Sequence, residues 1–168
     1  PDHYDPDAIA AVAGDDADVV AYEAIDTTGL DRDVTPLAYD GTLSVRGISV
    51  EAVPAHNRPE GDHVDADGEP FHAEREGVGL LCGVGDTIVY VAGDTDFPPA
   101  HDHVRADVFV PPIGGHYTMD RHEAADFATS VAPALVLPVH YDTLEPIETD
   151  AAAFADELER AGIPVELF

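Results

Sequence analysis

Lysine is absent from this 168-residue chain, so the seven Lys and Arg positions are all arginine. Against them stand 35 Asp and Glu residues, which give a formal net charge of −28 spread along the sequence. A surface this acidic repels the phosphates of nucleic acids and anionic lipid headgroups, so we expect neither nucleic acid nor membrane as a partner. The composition resembles that of cytoplasmic proteins of extreme halophiles, in which concentrated salt screens the self-repulsion.

Cysteine is almost as scarce, since Cys82 is the single one. One thiol cannot form an intrachain disulfide, which favours a reducing compartment, and its place in a predicted strand indicates a small buried hydrophobic residue. No apolar run approaches the ~20 residues of a membrane span, and no signal-peptide pattern is visible. These observations predict a soluble, cytoplasmic protein.

The chain has no internal repeat and no linker, and its length suits one domain over residues 1–168. Its first half is rich in predicted strands, and residues 34–39, 42–46 and 48–54 have the spacing of an antiparallel meander. The second half alternates strands with helices, which are predicted at 120–131 and 150–161. This order predicts an α/β fold in which sheets are covered by helices.

The stretch from Thr87 to Phe97 is the centre of the predicted fold. A β-branched strand pairs with residues 77–84 across the turn at Gly85 and runs into Gly-Asp-Thr-Asp, so Asp94 stands on a rigid base. A second strand, predicted at 134–141, ends in the same way at His140. A carboxylate and an imidazole on two rigid strand ends indicate a metal site.

Other histidines lie at comparable positions. His56 follows a predicted strand, and His72 lies in a loop of residues 57–76 that shows no periodic apolar pattern. Asp2 and His3 precede a short helix capped by Asp5. His63 has glycine and acidic neighbours, which are typical of a solvated loop.

Imidazole and carboxylate ligands suit a divalent ion such as Zn²⁺ or Mn²⁺ and leave a position for water. The ion lowers the pKa of that water to about 7, and a second ion about 3.5–4 Å away would polarise the oxygen under attack. We therefore expect one or two ions and hydrolysis of a small-molecule substrate.

Several motifs together resemble the metallo-β-lactamase fold superfamily, and within it the branch that includes L-ascorbate-6-phosphate lactonase. They are Val53-Pro54-Ala55, Gly77-Val78-Gly79, Ala92-Gly93-Asp94-Thr95-Asp96, Pro112-Ile113-Gly114-Gly115-x-Tyr117-Thr118-Met119 and Pro138-x-His140-Tyr141. The resemblance runs along the whole chain and implies an αββα sandwich. The superfamily also carries His-x-His-x-Asp-His, of which only the last two residues, Asp2 and His3, are present.

The resemblance implies one metal site made of Asp2, His3, Asp94 and His140, with Asp94 bridging to a second ion. The second site would use His56 or His72, together with two histidines upstream of Pro1. We favour His72, which precedes the Gly77 motif as a histidine does in this branch. The first strands of the fold would also lie upstream of Pro1, so we expect the chain to be a fragment.

Asp2 and His116 are the predicted catalytic residues. His116 lies on a glycine-bearing loop, where it could donate a proton to the leaving group or bind the substrate, and a solvent-facing loop residue is the alternative. The leading hypothesis is a metal-dependent hydrolase of a small ester-like bond such as a lactone. The alternatives are a phosphodiester hydrolase and a non-catalytic binding module without the His-x-His ligands, and self-association into a homo-oligomer stays open.

Overall fold

The computed structural model describes residues 4–97 and 104–168. Within these ranges the elements, in chain order, are α1 (Pro6–Val12), β1 (Val19–Tyr22), β2 (Val34–Leu37), β3 (Thr42–Val45), β4 (Ile48–Ala55), β5 (Gly77–Val84), β6 (Thr87–Val91), β7 (Val108–Val110), α2 (Arg121–Val131), β8 (Leu135–Val136), a 3-10 helix (Glu145–Ile147) and α3 (Ala151–Arg160). No helix in the described part of the chain is long and apolar enough to cross a membrane.

Strands β3 to β8 form a six-stranded mixed sheet in chain order. Neighbours are antiparallel from β3 to β6, and β7 and β8 then continue parallel to β6. The predicted hairpin between β5 and β6 is confirmed, and Gly85 in its turn has the positive φ of +61° that glycine adopts without strain. The mixed sheet with its helices confirms the predicted α/β class.

The predicted three-strand meander is wrong at its first strand. β2 pairs in parallel with β1, and the two form a separate small sheet. Leu37 at the end of β2 is buried against Val50 and Ala52, so β2 packs on a face of the large sheet. Hydrophobic burial of Leu37 therefore decides the position of β2, which turn spacing alone does not reveal.

The opposite face of the large sheet is covered by α2 and α3. Tyr90 and Phe109 stack with ring centroids 5.4 Å apart, and Phe127 of α2 meets Phe109 edge-on at 4.9 Å. Phe154 of α3 is fully buried in the same cluster. Side chains therefore alternate between two apolar faces along the strands, with helices over one face and the small sheet on the other.

Helix boundaries follow the predicted caps. The carboxylate of Asp5 accepts hydrogen bonds from two backbone N–H groups at the start of α1. Asp120 and Glu123 form a reciprocal capping box at the start of α2. The strand predicted at 134–141 is shorter, because β8 ends at Val136 and only an isolated bridge at Val139 follows. Leu137 and Val139 still donate to Phe109 and Pro111, but Pro111 has no N–H to donate back, and this interrupts the ladder.

One edge of the large sheet collects the predicted ligands. Strands β4, β6, β7 and β8 all end at this edge and β5 begins there, as their pairing directions require. His56 directly follows β4, Asp94 comes shortly after β6, and His140 follows the bridge beyond β8. His72 precedes β5. The topology therefore carries all four residues to the same edge.

Candidate metal centre

Asp94 stands between two imidazoles. Its Oδ2 atom lies 3.2 Å from Nε2 of His72 and 3.8 Å from Nε2 of His140. All three side chains are largely buried, with exposed fractions of 16% for Asp94, 23% for His72 and 24% for His140. The structure thus brings together three residues that the sequence analysis predicted as metal ligands.

These separations are close to those of donors on one ion. Two donors on a tetrahedral ion, each about 2.0 Å from it, are about 3.3 Å apart. The distance from Asp94 to His72 matches this value, and the distance to His140 is slightly longer. Among residues 4–97 and 104–168, however, no group of three or more His, Cys, Asp or Glu side chains closes around a common metal position. The three residues fit an ion by their chemistry, as part of a ligand set.

The charge of Asp94 acts on the neighbouring ring. Burial alone would lower the pKa of His72, but the hydrogen bond and the charge of Asp94 outweigh it and raise the pKa above its usual value. A cation between the carboxylate and the ring, whether a proton or a metal ion, is therefore favoured.

His140 has an unusual backbone. Its φ of +56° is left-handed, a conformation that costs a non-glycine residue of the order of 1–3 kcal/mol and that concentrates at functional sites. Gly114 allows it, because a Cβ atom at position 114 would lie 2.4 Å from the carbonyl oxygen of His140. The buried Nδ1 of His140 has no hydrogen-bond partner in the described part of the chain. Close backbone packing therefore places the imidazole beside Asp94.

His56 lies at the same edge with different contacts. Its backbone N–H donates to Oγ1 of Thr95 at 3.2 Å, and its Nδ1 faces the backbone oxygen of Asn57 at 3.0 Å. Asp94 lies within ion-pair distance of His72, at 3.2 Å. This contact agrees with the preference for His72, and the choice between the two histidines stays a prediction.

The remaining predicted site residues are placed as follows. Asp2 and His3 lie outside the described residues. His116 is exposed, with a left-handed φ of +50°, and its ring centroid is 4.4 Å from that of Tyr117 and 5.3 Å from that of Phe71. His116 therefore belongs to an aromatic group, and Tyr117 of this group also contacts His72 through its backbone oxygen.

Sequence reasoning missed a buried polar network beside the site. The interpretation of His63 as a solvated loop residue is wrong, because its side chain is 8% exposed and its Nδ1 lies 2.7 Å from Oδ1 of Asp96. Asp96 also accepts hydrogen bonds from the side chain of Asn57 and the backbone of Arg58. The acidic neighbours of His63 concealed its burial, whereas a second carboxylate two residues after Asp94 was a visible signal.

The network sets the charge states of its members. The hydrogen bond that His63 donates to Asp96 raises the pKa of His63 above its usual value, although burial opposes this. Burial would raise the pKa of Asp96, but hydrogen bonds from His63, Arg58 and Asn57 outweigh it and lower the pKa. The loop of residues 57–76 therefore holds a readily protonated imidazole, His63, against the ionised carboxylate of Asp96.

Proteins of similar sequence are described as metal-dependent hydrolases. A UPF0173 metal-dependent hydrolase of Methanopyrus kandleri is 33% identical over 140 residues, which cover 81% of this chain and 59% of that protein. Another from Salinibacter ruber is 37% identical over 94 residues, covering 54% of this chain and 42% of the relative. The chain thus spans about half of the length of these relatives.

Solved structures agree in fold. A crystal structure of a protein assigned as a metal-dependent hydrolase from Parabacteroides distasonis superposes with a TM-score of 0.78 at 28% identity, covering 99% of this chain and 70% of that one. A metallo hydrolase of Ignicoccus hospitalis superposes with a TM-score of 0.65 at 26% identity, covering 80% and 57%. The family described as the beta-lactamase superfamily domain matches residues 1–140. On its sequence and its fold, this chain belongs to the beta-lactamase superfamily domain family.

Proposed function

We propose that this chain carries the metal-binding sheet edge of a metal-dependent hydrolase, with Asp94 and His140 holding one divalent cation and Asp94 bridging to a second ion held by His72. The observation that carries the proposal is the Asp94 carboxylate, which lies 3.2 Å and 3.8 Å from two imidazole nitrogens at the ends of the strands. The relatives described as metal-dependent hydrolases support it. Asp2 and His3 would complete the site that contains His140.

The ion is Zn²⁺ or Mn²⁺ in this proposal, since imidazole and carboxylate donors suit both. When bound, such an ion supplies Lewis-acid chemistry, polarising the substrate oxygen and acidifying water. The carboxylate of Asp94 neutralises part of the charge of the ion. The imidazoles of His72 and His140 are held by buried surroundings, which keep their rings directed at the site.

The proposed substrate is a small molecule with an ester-like bond, such as a lactone. Water adds to the carbonyl carbon, the bond from that carbon to the leaving oxygen breaks, and the leaving oxygen takes up a proton. His116 is the proposed donor of this proton, because it lies on the exposed rim of the site loop beside Tyr117 and Phe71. The two aromatic rings offer an apolar surface for the body of the substrate.

Metal content and turnover test the proposal. The protein purified in high salt is expected to contain a stoichiometric transition metal by inductively coupled plasma analysis. Asp94→Asn is expected to lose the metal and the hydrolysis of a lactone panel. His122→Gln, which changes a histidine that is 61% exposed on α2, is the matched control and should retain both. Wild-type protein without a bound metal would contradict the proposal.

The substrate class is tested separately. Turnover of the lactone panel is compared with turnover of bis-nitrophenyl phosphate, because the same ion would also stabilise phosphoryl charge. Preference for the phosphodiester would overturn the lactone proposal and leave the metal site intact. Metal binding without turnover of either substrate would favour a non-catalytic binding module.

The acidic composition supports a further part of the proposal, namely that the protein works in concentrated salt inside the cell. Its net charge of −28 would loosen the fold in dilute buffer, and salt shortens the range of the repulsion.

A further inference from the structure

Three aromatic rings form a surface directly beside the candidate metal centre. Phe71 precedes His72 in the chain, and its ring centroid lies 5.0 Å from that of Tyr117, edge-on, and 5.3 Å from that of His116. The backbone oxygen of Tyr117 lies 3.2 Å from Nδ1 of His72. Phe71 and Tyr117 are half-buried and His116 is exposed, so the rings support one another and still face solvent. We call these three rings the aromatic surface.

The aromatic surface is held by closed loops. The backbone N–H of Phe71 donates to the backbone oxygen of His63 at 3.2 Å, and that of Thr118 donates to the backbone oxygen of Gly115 at 3.2 Å. Both loops are therefore shaped before any ligand arrives, and a ligand loses less of its binding energy to ordering them.

The loop of residues 57–76, which forms one side of the aromatic surface, is strongly acidic. It has seven exposed Asp and Glu residues and two arginines. A guanidinium nitrogen of Arg58 lies 3.0 Å from a carboxylate oxygen of Glu123. The guanidinium of Arg75 lies over the ring of Tyr39, 4.7 Å from its centroid. Both arginines of this loop are therefore already engaged with other groups of the protein.

Helix α2, which begins just after the aromatic surface, uses its own carboxylates at its first turn. Asp120 accepts the backbone N–H groups of His122 and Glu123, and Glu123 accepts that of Asp120. Backbone N–H groups at a helix start commonly bind phosphates, but here the capping box occupies these three. Arg121 lies 3.7 Å from Glu157 of α3.

A charged group on the body of a substrate would be unfavourable on the aromatic surface. Placing it against the rings removes water from it, and a charge that loses its water without gaining a partner is costly. The arginines nearby already have partners, so the charge would stay unpaired. Salt screens charges across solvent far more than charges that have lost their water, so this cost persists in concentrated salt.

We propose that the site selects a lactone or ester whose body is an uncharged, flat apolar ring lying against Phe71 and Tyr117, and that Phe71 determines this specificity. The reaction itself rests on the proposed function, and the inference names the substrate class of the same site. A lactone that carries a phosphate or a carboxylate is a poor substrate by this reasoning.

Binding of lactams tests the aromatic surface without turnover. The lactam analogue of dihydrocoumarin has the same fused rings and resists hydrolysis, a second probe adds a carboxylate to its benzene ring, and δ-valerolactam lacks that ring. By saturation-transfer NMR of the metal-free protein in concentrated KCl, we expect the uncharged aromatic lactam to bind about 10-fold more tightly than either of the others. Equal binding of the carboxylated and the uncharged aromatic probe would overturn the proposal, and this comparison needs no variant.

Turnover by the protein as purified gives the second readout. Phe71→Ala is expected to lower kcat/KM for dihydrocoumarin about 10-fold, chiefly through KM, because the ring makes the same contact in the ground state and the transition state. The loss for δ-valerolactone, which has no aromatic ring, should be smaller. Val84→Ala is the control, since Val84 is 49% exposed at the far end of β5 and should leave both substrates unaffected. Equal losses on the two substrates would refute the specificity role of Phe71.

The two proposals fail in different ways. A wild type that binds no metal and hydrolyses no lactone would refute the proposed function, and the lactam measurement would still decide whether the aromatic surface selects uncharged rings. A wild type that hydrolyses a phosphorylated sugar lactone in preference to dihydrocoumarin would leave the proposed function intact and overturn this inference.

Discussion

Replacing Asp96 with asparagine tests the buried network at its centre. The substitution keeps the shape of the side chain and removes its charge, and it turns one acceptor oxygen into a donor. If the remaining oxygen faces Asn57 and His63, the new amide nitrogen faces the backbone N–H of Arg58, and this donor loses its partner. The opposite orientation leaves the donors of both Asn57 and His63 unpaired. Neither orientation satisfies the site.

The expected loss follows from these contacts. A buried donor without a partner costs about 1–3 kcal/mol, and each of the two surviving hydrogen bonds loses about 1 kcal/mol when its acceptor becomes neutral. Relief of the cost of burying a charge offsets part of this sum. We therefore expect Asp96→Asn to lower the free energy of unfolding by about 2–4 kcal/mol, a large share of the 5–15 kcal/mol that is typical of a domain.

Urea unfolding of the metal-free protein in high salt measures this change, read from the transition midpoint at constant slope. Asp156→Asn is the control, since Asp156 is 67% exposed and pairs with Arg160 on the surface of α3, where the change should stay within about 0.5 kcal/mol. An equally small change for Asp96→Asn would refute the reasoning, because a buried, triply hydrogen-bonded carboxylate would then contribute no more than a surface one.

Three further predictions concern other parts of the molecule. Gly114→Ala is expected to destabilise the protein by about 1–3 kcal/mol and to weaken zinc binding, because the added Cβ would lie 2.4 Å from the carbonyl oxygen of His140. Gly14→Ala, which meets nothing within 4 Å, is the control in both assays, and equal behaviour of the two variants would contradict the prediction. The pKa of His63 is raised in the folded state, so its contribution to stability is fully present below pH 6.5 and is lost as pH rises through the folded pKa. The stability difference between wild type and His63→Gln in urea unfolding should therefore shrink with rising pH, and a constant difference would contradict it. Finally, raising KCl from 0.1 M to 2 M should increase Tm by more than about 4 °C, the shift that ~1 kcal/mol produces in a chain of this size, and an unchanged Tm would contradict the role given to the net charge.

Features set by neighbouring residues could be predicted from the sequence. The Asp5 cap, the capping box of Asp120 and Glu123 and the glycine turn between β5 and β6 all depend on groups a few residues apart. The convergence of Asp94 and His140 could also be predicted, since both follow strands that end at one edge of the sheet. Strand ends restrict where a side chain can lie, and the chain beyond β8 keeps its direction to His140 although the strand itself ends at Val136.

Features set by distant residues could not be predicted. Asn57 bonds to the backbone of Tyr117, which is 60 positions away, and His63 contacts Asp96 across 33 positions. The neighbours of His63 are acidic and glycine-rich, so local composition indicated solvent, whereas burial came from a partner on another element. The loop of residues 57–76 lacks an apolar period because polar groups order it.

Two carboxylates that lie two residues apart have opposite surroundings, and this contrast supports the proposal that Asp94 is a metal ligand. Asp96 is surrounded by N–H donors, which satisfy its charge and leave no need for an ion. Asp94 instead faces the Nε2 atoms of His72 and His140, at 3.2 Å and 3.8 Å. A carboxylate and a ring nitrogen attract each other when a cation, either a proton or a metal ion, lies between them. Nitrogen donors therefore satisfy Asp96 without an ion, whereas the contacts of Asp94 favour a cation between the carboxylate and the rings.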